Sequence, residues 1–270
     1  TVEQTDGAVL TLSAEAADNA TVGSAAGASS TVTVTGLEQL LDGNFQGLSA
    51  TTVQGTLTAA AGAVQTFTGD LGKMTLTVAG DGALRVAGGD LTAAKLIVTE
   101  GAEFRGTAEQ LGGATGFASV TGPGVAVLLN YTLGDDVSGL LTGSTDARLV
   151  VQLSQDADLR SAAEGSLSSV DGYRLTTGTA LTARADQIDG LVVTGTGSLT
   201  IAGGLTGPAD FSKVSGTLAQ TTVVVSEDLD FTGGLLGSVV PVLSGDATLT
   251  LTAAGADGAT VTGAGTVRVT

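Results

Sequence analysis

The chain has 270 residues, with 42 glycines and as many threonines, 3% aromatic residues, and no Trp, Cys or His. Ten Lys plus Arg against 27 Asp plus Glu give a net charge of −17, which repels phosphate backbones and anionic lipid and so argues against nucleic-acid and membrane-surface partners. Imidazole catalysis, thiolate chemistry, disulfides and most transition-metal sites are excluded with the missing His and Cys.

Strand signals recur along the whole chain as short runs of alternating β-branched and apolar residues: 31–35 (TVTVT), 74–78 (MTLTV), 221–225 (TTVVV) and 248–252 (TLTLT). Helical windows are restricted to 37–41 and 161–167, both too short to stand alone. No apolar run approaches the roughly 18 residues of a membrane helix, so no membrane insertion is expected. At 42% hydrophobic and 14% charged, the chain is expected to fold despite its glycine content.

Self-similarity organises these signals. Segments 9–22 (VLTLSAEAADNATV), 180–193 (ALTARADQIDGLVV) and 248–261 (TLTLTAAGADGATV) align without gaps as L-T-x-x-A-x-x-x-D-[GN]-x-x-V. This alignment equates Leu10, Leu181 and Leu249, then Asp18, Asp189 and Asp257, then Val22, Val193 and Val261. A V-x-G-x-G phrase followed by alternating residues recurs from Val78, Val193 and Val261. Beneath it runs a shorter period of turn-then-strand units, most of them 18–25 residues apart, starting near Val53, Val78, Val98, Val120, Leu141, Leu175, Val193, Val214, Leu243 and Val261. Aromatics recur at one place in the cycle, at Phe45, Phe117, Tyr173 and Phe211.

A series of similar all-β units of this length implies an all-β, right-handed parallel β-solenoid of 18–25 residues per coil, with residues 1–270 forming one repeat domain. Small residues suit a narrow lumen, Gly supplies positive φ at corners, and Asn or Asp tolerates the same conformation. A β-sandwich competes on strand spacing, but its core calls for a bulky aromatic such as Trp, which is absent.

The phrase LTARADQIDGLVVTGTGSLTIAGG, with its partners at 9–22 and 248–270, resembles repeats of very long secreted bacterial surface proteins: adhesins, filament proteins and S-layer-like proteins. The resemblance implies an extracellular structural protein that builds a surface layer, filament or matrix by coil stacking and self-association. The alternative it implies is a stalk or glycan-binding module of a giant adhesin, with cell-surface glycan met near Phe117, Tyr131 or Tyr173. Ends that read TVEQTDG and TVRVT carry no cap, so pairing with flanking repeats or other copies is expected. The calcium-binding nonapeptides of some such proteins are missing in tandem form; 78–90 is the nearest approach.

Two Asp-x-Asp pairs, Asp156 with Asp158 and Asp228 with Asp230, put both carboxylates on one face of a strand and could hold calcium through oxygen. Asp135, Asp136 and Asp146 form a looser set. These acids with Arg148, Arg160, Arg174 and Arg184 match the residue types of polysaccharide-active β-helices, but the groove aromatics are missing and no enzyme activity is expected. Repeated Asp18, Asp189 and Asp257 read as corner residues, since a catalytic centre should occur once. Thr rows such as Thr31, Thr33 and Thr35 would suit an ice-binding face, but coil lengths of 18–25 predict that successive rows fall out of register.

Overall fold

The computed structural model describes residues 1–112, 115–141, 146–163 and 165–270. Nearly everything in it is β: parallel strands stack as a β-solenoid of about 12 turns with about 21 residues per turn. Every strand pairing among the described residues is parallel. The chain divides into two compact units, Thr1–Leu129 with Gly139–Leu149, and Asn130–Ser138 with Val150–Thr270.

In the first unit, one ladder runs through Ala8–Ser13, Ser30–Thr35, Thr52–Thr58, Thr75–Ala79, Lys95–Val98 and Ser119–Thr121. A second runs through Val64–Phe67, Ala83–Val86, Glu103–Gly106 and Val125–Leu128. In the second unit, Gly172–Leu175 lies between Arg148–Leu153 and Val192–Gly195. A six-strand ladder extends from Ala157–Asp158 through Ala180–Ala183, Ser198–Ala202, Gln220–Val225 and Val240–Leu243 to Thr262–Gly263.

Alternation explains both the sequence pattern and the core. In Thr52–Thr58 every second residue is buried and the others are exposed, as a period of two on a half-buried strand requires. Equivalent inward positions of successive coils pair directly, Val32 with Val53 and Leu76 with Leu96, so the lumen is filled by stacked rows of Val, Leu and Ile. The rings join these rows: Phe45 stacks on Phe67 and Phe211 on Phe231, each pair with centroids 6.2 Å apart. Close stacking also sets where glycine is obligatory. A Cβ on Gly69 would stand 1.9 Å from the carbonyl oxygen of Gly43 in the preceding coil.

The structure corrects two expectations. Thr11, Thr33, Gln54, Thr75 and Lys95 are in register along one outward row, and Val9, Thr31 and Thr52 along another, so unequal coil length does not shift the rows. The extra residues are absorbed at corners and leave the ladder undisturbed. The array is nonetheless broken by Gln54, Lys95 and Ile97, and Gln54 spends its amide on the Thr33 hydroxyl at 3.1 Å. Helical structure also falls elsewhere than in the predicted windows. Leu37–Gln39 forms a 3-10 turn, but the 161–167 window, of which residue 164 lies outside the described residues, holds only the last residue of the 3-10 turn Leu159–Ser161. Ala14–Ala17, Ala108–Gly112, Ala185–Gln187 and Ala253–Ala256 are helical instead.

Phe211→Ala removes a fully buried ring and its stacking on Phe231, and should cost about 3–5 kcal/mol in urea unfolding. Gly69→Ala should destabilise by about 1–3 kcal/mol through overpacking against backbone, although the same change at an unconstrained site reduces the freedom of the unfolded chain and stabilises.

Candidate functional site

The repeated aspartates hold neighbouring coils together. In the first two copies of the long repeat, a short helical turn follows the strand and the aspartate comes after it. Asp18 Oδ1 accepts the backbone N–H of Asn44 at 2.7 Å, and Asp189 Oδ1 that of Asp210 at 2.7 Å. The return bonds run from the next residue, Asn19 N to Asn44 O at 2.8 Å and Gly190 N to Asp210 O at 2.9 Å. That next residue is left-handed in all three copies, with φ of 54° at Asn19 and 70° at Gly190 and Gly258, which is why the position accepts only Asn or Gly. Asp6, Asp156 and Asp228 make the same clamp, accepting N–H groups of Ser29, Ala180 and Thr248 at 2.8 Å.

A second corner recurs as Asx followed by an apolar residue. The side chains of Asn44, Asp70, Asp90, Asp136, Asp158, Asp210 and Asp230 each accept the N–H two residues on. This is the Asx turn. The intervening residues, Phe45, Leu71, Leu91, Val137, Leu159, Phe211 and Phe231, are all buried. Where the following residue bears a hydroxyl, it donates as well, as Thr92 does to Asp90 at 2.7 Å and Thr232 to Asp230. These bonds hold the carboxyls of Asp90, Asp136, Asp210 and Asp230 below the usual range. The Arg160 guanidinium and backbone N–H bring Asp158 down to about 2.

The two Asp-x-Asp pairs are therefore one device used twice. Asp156 and Asp228 clamp the following coil, while Asp158 and Asp230 close Asx turns. A calcium ion takes six to eight oxygen ligands, and among the described residues no group of three or more Asp or Glu gathers; a cation here would need further oxygens from carbonyls, water or another copy. Two of the four arginines singled out are engaged with adjacent acids, Arg160 with Asp158 at 2.7 Å and Arg184 with Asp186 at 3.0 Å. Arg184 also donates to the Arg160 carbonyl at 2.6 Å. Arg174 is half-buried and Arg148 exposed, both on strands. Asp135 is spent on Thr132, accepting its N–H at 2.8 Å.

Of the aromatic positions, Phe117 and Tyr173 are sealed, at 5% and 1% exposure. Tyr131 is half-buried and lines a trough of about 500 Å³ with Asn130, Thr132, Leu133 and residues 152–158. The hydroxyls of Tyr131 and Tyr173 are both enclosed without a hydrogen-bond partner, and burial pushes both phenols upward, aided at Tyr131 by Asp135. No family model, curated protein or solved structure matches the chain.

The sequence identified the aspartates of the long repeat as corner residues, but not their partners one coil away. The Asx corners were visible only as [DN] before an apolar residue; that spacing was legible once burial of the apolar residue was known.

A carboxyl depressed by folding stabilises the fold above its unfolded pKa of about 3.9, and that stability is lost as pH falls toward the folded value. Thermal melts should therefore hold level from pH 7 to 5, then drop progressively between pH 4 and 2. Asp158→Asn, which keeps an Asx acceptor without a titrating group, should flatten part of that drop.

Proposed function

We propose that this chain is a structural repeat module of an extracellular bacterial surface layer, filament or matrix, whose work is mechanical. The observation that carries the reading is the use of its polar residues: the aspartates that would be candidates for chemistry are spent on holding one coil to the next. The fold is of a kind whose stability sums over nearest-neighbour interfaces and which lengthens by adding units. Strand edges of such a stack are templates for pairing. Val267 and Val269 are in register with the lumen residues Leu249 and Leu251, yet are 41% and 54% exposed where those are 1%. Self-association with another copy would cover them. The acidic surface would make close lateral packing depend on a divalent cation, with Asp156, Asp158, Asp228 and Asp230 as shared ligands between copies.

Negative-stain electron microscopy of the purified chain, with and without millimolar calcium, tests this directly. Filaments or sheets are expected, with calcium dependence lost in an Asp156→Asn, Asp228→Asn double variant. Dispersed single particles in both conditions, together with a strict monomer in concentrated sedimentation runs, would overturn self-association and leave a stalk that only spaces other domains apart.

A further inference from the structure

We propose that the trough beside Tyr131 is a binding site for a neutral saccharide chain. This goes beyond the mechanical role and does not rest on it. The rim is built by a fixed turn. Asn130 adopts a left-handed conformation, φ 58°, and turns the chain out of the strand Val125–Leu128. Thr132 then donates both its N–H and its hydroxyl to Asp135 Oδ2, at 2.8 and 3.0 Å. Two residues further on, Val137 is fully buried and its N–H bonds the Ser166 carbonyl at 2.9 Å. Tyr131 is thus held by a closed turn on a buried anchor. Its hydroxyl has no access to solvent, while the residue is half-buried and lines the trough, so the hydroxyl is not what it offers a ligand.

Gln152, Ser154, Gln155 and Asp156 line the same trough. The amides of Gln152 and Gln155 and the hydroxyl of Ser154 make no hydrogen bond within the described residues. Asp156 has one oxygen, Oδ1, on the Ala180 N–H and the other left as an acceptor. An aromatic residue and amides that both donate and accept, lining one trough, match the chemistry of a sugar, apolar on its C–H face and lined with hydroxyls at its edge. The volume of about 500 Å³ lies in the range of small-molecule sites. Other ligands fit less well. Asp156 in the trough and Asp135 beside Tyr131 repel an anionic chain, whereas Asp158 is paired with Arg160. The adjoining edge strand, Ala157–Asp158, is two residues long, too short to add a peptide strand by backbone pairing.

The test is nitrogen-15 NMR of the whole chain during titration with neutral oligosaccharides, namely β-1,4-linked and α-1,4-linked glucose hexamers and an N-acetylglucosamine hexamer, with a galacturonate hexamer as the anionic control. At least one neutral hexamer should shift the side-chain amide signals of Gln152 and Gln155 saturably, and the galacturonate hexamer should not. Tyr131→Ala should weaken binding tenfold or more and Tyr131→Phe should retain it, since the ring carries the contact. Gln155→Ala, at an exposed position that cannot disturb the core, should also weaken it, with circular dichroism unchanged. No shift at these amides from any neutral hexamer at about 10 mM, ten times a millimolar dissociation constant, would overturn the proposal. So would affinity unaltered in folded Tyr131→Ala and Gln155→Ala.

Discussion

The constraint on which the structure depends is that each coil must return its chain to the same place, about 4.8 Å further on, whatever its length. Parallel ladders tolerate no drift: a slip of one residue would turn every inward Val and Leu of a strand to solvent. Coils here differ in length, yet Leu12, Val34, Gly55, Leu76, Leu96 and Val120 stay aligned along one inward row. The inward apolar pattern itself selects the register. Where they occur, the carboxylate clamps reinforce it, since each spans 20 to 26 residues between one corner and the next. They bind a specific backbone N–H, which a slipped coil could not present.

The Asx corners solve the complementary problem of closing a coil within a narrow lumen. A side-chain acceptor turns the backbone over three residues while the middle residue points inward, so one short phrase supplies both the bend and the core contact. That economy explains how a chain with eight Phe and Tyr residues builds a continuous core. Six of the eight rings meet in pairs, Phe45 with Phe67, Phe104 with Phe117 and Phe211 with Phe231. It also explains why a strongly acidic sequence folds. Many of its acids accept hydrogen bonds that lower their pKa, so part of the cost of like charge is offset locally.

How much of this was legible follows from which interactions are local. Period-two strands and the recurrence of similar units are local properties, and they sufficed for the solenoid. The left-handed site after each repeated aspartate was readable too, because Asn19, Gly190 and Gly258 are the residue types that tolerate it. Interactions one coil away were not, since nothing in the segment 180–193 identifies Asp210 as the partner of Asp189. The helical turns were missed for a related reason. Ala14–Ala17 is four residues long, below any periodic signal, and exists because Ser13 caps it and the lumen receives Ala14 and Ala17.

The same distinction bears on the candidate site. Repetition makes corner aspartates common, and what is common in a stack serves the stack. The trough beside Tyr131 breaks that pattern in three respects. It follows a coil in which no second strand is described between Val125–Leu128 and Arg148–Leu153. Its tyrosine lies outside the Asx corners, where the residue after the Asx is Phe, Leu or Val. Its amides are not spent on neighbouring coils, unlike those of Gln110 and Gln187, which bond the carbonyls of Val86 and Leu159 at 2.7 Å. In a molecule whose corner aspartates are spent on its own backbone, free amides that share a trough with an aromatic residue are where recognition of something outside the chain has the groups it needs.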